Sequence, residues 1–293
     1  MNGGERLVKY REQRPTGELG RFIDCFWFLE QEETDSPEPR PLERLLPIGA
    51  IEVVLHHGSP FREWSASQPR LLPPGVVAGQ LTGPMLIQPV GRVSTMGLRF
   101  APGGAYPFFG TRLDALTGRL AGFGEIWGGE GGRFEERLLA AADDRERVLV
   151  AEEFLRSRLS TGGRRDEPVE AGALEIRRRR GRLRISALGR MLGLSPRQME
   201  RRFGAALGIG PKSLCRVIRF QSLVRRLSRG APDWAGMAVD SGYCDQSHLI
   251  NEVRRLSGLT PATLAARRGP QIRRSPGFTL DGESGLRVCP AGP

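Results

Sequence analysis

The chain has 293 residues, 39% hydrophobic and 26% charged, a balance typical of folded globular proteins and unlike disordered or fibrous ones. Apolar runs such as 51–55 and 138–142 fall far short of the roughly 18–20 residues that cross a bilayer, and the first six residues carry no apolar signal core. Cys25, Cys215, Cys244 and Cys289 lie far apart with no C-x-x-C pair, which argues against a disulfide framework and a four-thiolate zinc site.

The expectation is a cytoplasmic protein without membrane association. Its net charge of +11 is concentrated: residues 1–172 carry −4, residues 173–268 carry +14 and residues 269–293 carry +1. A basic block joined to a mildly acidic one has the charge pattern of a polyanion-binding module attached to a second domain.

The first half reads mainly as strands. Residues 21–30, 50–57 and 93–100 are rich in aromatic and β-branched side chains and bounded by turn residues, with shorter candidates at 76–80 and 85–88. Beyond Pro102 the spacing changes to threes and fours, predicting helices over 112–120, 132–142 and 145–159. The polar, glycine-containing stretch 160–168 reads as the connector.

The second half reads as helical throughout. Within 185–203, Ser186 is a candidate N-cap, and Leu188, Met191 and Leu192 share one face. Gly193 stops that helix and Leu194 fills the corner. Ser195 and Pro196 start a second helix with Met199 and Phe203 on its inner face. Two short helices, a glycine turn and a polar second helix are the parts of a helix-turn-helix. The layout returns at 234–255, with Gly242 at the turn, Tyr243 at the corner, Asp245 as cap, and Leu249 and Val253 inside. Between the two units Pro211 opens a helix predicted over 212–229 and ended by Gly230, about 27 Å long.

Residues 174–268 resemble the tandem helix-turn-helix DNA-binding domain of AraC/XylS-type bacterial transcription regulators. The resemblance rests on ALGRMLGLSP at 187–196, Phe203, GIGPK at 208–212, Arg219, Phe220, Leu227, AVDSGYCDQSHL at 238–249 and GLTP at 258–261. Val253 stands where that family usually has phenylalanine, which predicts looser packing in the second unit. The first half is similar to the N-terminal domain of uncharacterised AraC-type regulators through Leu46, Pro47, IEVVLH at 51–56, Gly79, Gln80 and RFAPGGAY at 99–106.

The fold class expected is α+β in two domains. A β-rich, sandwich- or barrel-like N-terminal domain with trailing helices occupies 1–165, and 166–173 connects it to an all-α domain at 174–268. There, units at about 185–207 and 234–257 are joined by the long helix, and 269–293 forms a flexible tail. The resemblance implies a sequence-specific regulator that is not an enzyme and needs no cofactor or metal. Its implied partners are double-stranded DNA, RNA polymerase, a small-molecule effector and a second copy of the chain, the last through helices 132–142 and 145–159.

By helical geometry and the family pattern, Arg197, Gln198 and Arg201 would read bases from the first unit, and Gln246, Ser247, His248 and Asn251 from the second. Ser195, Lys212, Arg216 and Arg254 would hold phosphates. The run 177–180 is either a further phosphate contact or a solvated helix end. Trp27, Glu52, His56, Gln80, Arg99 and Tyr106 are the candidate effector contacts. His56 and His57, adjacent on a strand, point to opposite faces and make a poor metal pair. Two rival readings are a DNA-tethered alkyl-transfer repair enzyme using Cys25, disfavoured by the apolar run around that thiol, and an RNA-binding module, disfavoured by the lack of aromatic stacking residues.

Overall fold

The computed structural model describes residues 8–31, 40, 42–64, 68–161, 163–227 and 234–266. The first part is built from ten strands: β1 Val8–Gln13, β2 Ile23–Gln31, β3 Glu43–Leu45, β4 Glu52–His56, β5 Phe61–Trp64, β6 Pro69–Leu71, β7 Gly75–Ala78, β8 Met85–Pro89, β9 Val93–Phe100 and β10 Leu120–Gly122. They form a six-stranded sheet in the order β1-β2-β9-β4-β7-β10 and a four-stranded sheet in the order β3-β8-β5-β6, with antiparallel pairing throughout.

Every residue of β4 and β9 is buried because the larger sheet is covered on both sides. One face packs Phe26, Phe28, Val53, Leu55, Met96 and Leu98 against helices α1, Phe123–Ala140, and α2, Asp144–Ser160. The other face packs Tyr10, Cys25, Trp27 and Val54 against Phe61 and Ile87 of the smaller sheet. Trp27 lies opposite Gly97 in the register, and a Cβ on Gly97 would stand 1.9 Å from its indole, so only glycine admits the ring there.

Strands β1, β3, β5, β6 and β10 were not expected from the sequence, and three further segments differ from the expectation. Residues 112–120 are not an α-helix: a 3-10 turn at Leu113–Leu116 gives way at Gly118, whose φ is +73°, to β10, which pairs with β7. The periodic leucines Leu113, Leu116 and Leu120 are all buried, which is why the spacing looked helical. The helix expected at 132–142 begins nine residues earlier at Phe123 and bends at Gly128. The connector expected at 166–173 is itself helical, because Asp166 caps α3, Glu167–Arg178, by accepting the Val169 N–H at 3.1 Å.

The remaining helices are α4 Ile185–Leu192, α5 Pro196–Leu207, α6 Pro211–Leu227, α7 Trp234–Asp240, α8 Gln246–Ser257 and α9 Pro261–Ala266. The expected end of the long helix at 228–230 and the tail 269–293 lie outside the described residues. Two apolar cores organise this part. Val169, Ile176, Leu188, Met199, Phe203 and Leu214 form one, and Phe220, Leu223, Leu249, Val253 and Leu256 form the other. Val253 is fully buried, so the smaller side chain still closes its core.

The strand-rich part touches both cores. Tyr106 packs against the sheet core and the α3–α5 core, and Leu46 is 2% exposed inside the core of the second unit. Pro47 O accepts a hydrogen bond from the Gln221 side chain, and Gly208 O accepts one from Thr117 Oγ1 at 2.5 Å. Removing a buried leucine side chain costs about 2–5 kcal/mol when the site cannot collapse. Leu46→Ala is therefore expected to lower the denaturant midpoint and to expose the 42–50 segment to limited proteolysis; unchanged unfolding would show that Leu46 does not seat the second unit.

Candidate nucleic-acid interface

The first unit is set by local chemistry. The N-cap of α4 is Arg184 rather than Ser186, and Ser186 sits within the first turn. Gly193 ends α4 at φ +64°, and the Leu194 N–H returns to Gly189 O at 3.0 Å. The chain then restarts as α5 through a reciprocal cap. Ser195 Oγ accepts the Gln198 N–H at 3.3 Å, while Gln198 Oε1 accepts the Ser195 N–H at 2.9 Å. Arg202 grips the Asp166 carboxylate with two hydrogen bonds of 2.8 and 2.7 Å, which fixes α5 to the start of α3.

The second unit repeats the plan. The Tyr243 N–H bonds Ala238 O at 2.9 Å across the Gly242 turn, and Asp245 caps α8 by accepting the His248 N–H at 2.7 Å. The His248 ring stands edge-on to Tyr243 with centroids 5.4 Å apart, and its Nδ1 accepts the Cys244 N–H. Between the units, α6 has 17 residues and spans about 26 Å. Arg216 on α6 binds Glu252 on α8 through hydrogen bonds of 2.7 and 2.6 Å, locking the second recognition helix to the connecting helix.

Burial works against the Glu252 charge, but the Arg216 guanidinium outweighs it and holds the carboxyl below the usual carboxylate range. A depressed carboxyl contributes stability above its unfolded value of 4.5 and loses it as pH falls. The stability gap between the wild type and Glu252→Gln is therefore expected to be widest at neutral pH and to shrink below about 4.5 in urea titrations. A gap independent of pH would show that the ion pair contributes nothing.

The expected DNA-contacting residues fall into two groups. Arg197, Arg201, Lys212, Gln246, Ser247, Asn251 and Arg254 are exposed, and none of them makes a side-chain hydrogen bond or ion pair among the described residues. Four others are committed elsewhere. Ser195 and Gln198 close the α5 cap, Arg216 holds Glu252, and the half-buried His248 ring faces Tyr243. These interactions occupy only part of each side chain, and Gln198 Nε2, Arg216 Nη1 and His248 Nε2 keep no hydrogen-bond partner among the described residues.

The arginine run 177–180 is largely neutralised. Arg177 pairs with Asp24 at 2.8 Å, and Arg178 and Arg179 both bind Glu175, whose carboxyl they hold down to about 2. That favours the solvated helix-end reading over an additional phosphate contact.

The six candidate effector residues are mostly buried among one another. Glu52 Oε1 accepts from Trp27 Nε1 at 3.1 Å and from Arg99 Nε and Nη2 at 3.0 and 2.8 Å. His56 stacks on Phe61 at 4.2 Å, bonds Thr95 Oγ1, and is pushed down to about 3 by burial. Gln80 is 1% exposed beside the Gly208 turn that follows α5. The expectation that these five line an open pocket is therefore corrected; they fill the interior instead. Tyr106, by contrast, lines a half-open cleft. Burial also pushes the Cys25 thiol up to about 12 against the pull of Arg99, so it is not a thiolate at neutral pH and makes a poor alkyl acceptor.

Residues 188–267 match a family described as a helix-turn-helix domain. Over 84 residues the chain is 31% identical to the HTH-type transcriptional regulator GlxA of Rhizobium meliloti. The C-terminal region is a helix-turn-helix domain.

That match covers 29% of this chain and about a quarter of the GlxA length, 26%. Ahead of the helix-turn-helix domain, residues 11–121 match a family described as a domain of unknown function (DUF6597). Among solved structures, ToxT from Vibrio cholerae is similar with 8% identity and a TM-score of 0.45, covering 78% of this chain and 95% of that one. The AraC-like transcriptional activator CuxR is similar with 14% identity and a TM-score of 0.26, covering 77% and 88%.

Proposed function

We propose that the chain is a sequence-specific transcription regulator that reads two adjacent major-groove segments through α5 and α8, under control of its strand-rich part. The observation that carries this reading is the contrast on the two recognition helices. Their inner faces are buried, their N-termini are capped, and their outer faces present side chains with no partner among the described residues. In the first unit these are Arg197 and Arg201, whose guanidinium forks match guanine O6 and N7. In the second they are Gln246, Ser247 and Asn251, neutral groups that recognise bases less strongly. Lys212 and Arg254 supply phosphate contacts, which position the protein and make binding salt-dependent.

The roles are divided by geometry. The strand-rich part contacts the helix-turn-helix domain through Leu46, Gly208 and Tyr106, so a ligand or partner that shifts that part also shifts the spacing of α5 and α8. RNA polymerase and a second copy of the chain are further partners of this reading, as is a cytoplasmic location.

The test is anisotropy of the full chain on duplex DNA from upstream of its own gene, against a scrambled duplex, at several salt concentrations. The expected result is preference for the native duplex that persists as salt rises. Equal binding to both, collapsing together with salt, would reduce the function to nonspecific polyanion affinity.

A further inference from the structure

In the acidic first part of the chain, three arginines converge on one cleft. Arg112, Arg158 and Arg164 line it together with Tyr106, Thr111, Thr161 and the glycines Gly110 and Gly163, around a volume of about 340 Å³. That is at the lower end of the roughly 300–1,000 Å³ of small-molecule sites.

The walls come from two places. Residues 106–112 and Arg158 belong to the strand-rich part and α2, whereas Thr161, Gly163 and Arg164 belong to the segment leading into α3 and the DNA-binding domain. The two walls are in contact, since a Cβ on Gly163 would lie 2.4 Å from Pro107 O. Tyr106, on the cleft wall, packs against the cores of both parts.

The arginines differ in how firmly they are held. Arg158 donates its Nε to Phe108 O at 2.7 Å and Nη1 to Glu130 at 2.8 Å, and its guanidinium lies over the Trp127 and Phe154 rings. Its Nη2 points towards Gly110, 3.9 Å from where a Cβ there would stand. Arg112 pairs with the exposed Asp114, and Arg164 is exposed without an acidic partner among the described residues. The result is two guanidiniums held by hydrogen bonds, a third without an acidic partner among the described residues, and three hydroxyls around one cavity, a donor set suited to an anion and not to a cation or an apolar ligand.

We propose that this cleft is a binding site for a small organic anion bearing a carboxylate or phosphate, with Arg158 as the preorganised contact and Arg164 closing from the connector side. It deepens the effector reading given above, moving the effector from the sheet interior to the junction of the two parts.

The experiment is calorimetric titration of the full chain, without DNA, by benzoate, citrate, glycerol 3-phosphate and inorganic phosphate. The two carboxylates and two phosphates separate the head-group classes, and inorganic phosphate separates the head group from its carbon skeleton. At least one probe is expected to bind saturably with a Kd below about 1 mM, weakened about tenfold or more in Arg158→Met and in Arg164→Met, as loss of a hydrogen bond to a charged group implies.

Arg119→Met, outside the cleft, is expected to bind as the wild type does. Arg164 is exposed, so its variant reports on binding even if removing Arg158 weakens the fold. Absence of saturable binding by all four probes, or equal binding by both cleft variants, overturns the proposal. DNA binding measured without any anion reports separately on the regulator reading, so either can fail without the other.

Discussion

Replacing both Arg197 and Arg201 by alanine is expected to cut the preference for a specific duplex by about 30-fold or more, leaving the part read by α8, with the melting temperature of the protein where it was. Both side chains are exposed on the outer face of α5, four residues apart, and neither contributes to a cap, a core or an ion pair among the described residues. Surface positions of that kind change stability by no more than about 0.5 kcal/mol. Each bidentate arginine–guanine contact is worth about 1–3 kcal/mol of discrimination, so two independent contacts together supply about 2–6 kcal/mol. Competition anisotropy against scrambled DNA reads the loss, and thermal melting reads the control. Retained discrimination in the double variant would move base reading away from α5.

The second large effect concerns Glu52. Its side chain is 6% exposed and that of Arg99 is 9% exposed, and a single carboxylate oxygen takes three hydrogen bonds from Arg99 and Trp27. Burial works against the guanidinium charge, yet Glu52 beside it outweighs burial and raises its pKa above the ordinary arginine value. Glu52→Ala leaves a buried positive charge without this partner and is expected to destabilise the strand-rich part by about 3–5 kcal/mol.

Glu52→Leu combined with Arg99→Met removes both charges and is expected to recover most of that loss. Urea unfolding of the single and double variants measures the difference. If the single variant unfolds like the wild type, the pair does not hold the sheet, and the effector role first assigned to Glu52 and Arg99 regains its case.

The recognition units were legible because short-range rules set them. Gly193, Ser195, Pro196 and Asp245 place helix ends by backbone conformation and capping, effects that act within four residues and leave marks in sequence. The central strands were legible for a related reason: β2, β4 and β9 are rich in β-branched and aromatic side chains and bounded by turn residues, as strands covered on both faces require.

The short strands β3, β6 and β10 were not legible, because three residues are too few to display a period, and for β3 and β10 the pairing partners are also distant in the chain. The commitments of individual polar residues also escaped. Arg216 looks the same in sequence as Arg197, and only the approach of Glu252 distinguishes it, whereas the Ser195–Gln198 spacing carries the capping-box signature that the sequence reading passed over. The three arginines of the cleft come from positions 112, 158 and 164, which no local pattern joins, although their place in an otherwise acidic stretch was visible.

The central claim is that α5 and α8, held apart by the 17 residues of α6, enter the duplex at two places. Methylation interference on a bound duplex, with the full chain, tests it most directly. The account predicts two clusters of interfering major-groove positions on one side of the helix, centred about 10 base pairs apart as successive grooves require, with the α5 cluster alone lost in the Arg197→Ala, Arg201→Ala variant. A single cluster in the wild type, or two that vanish together in the variant, would contradict it.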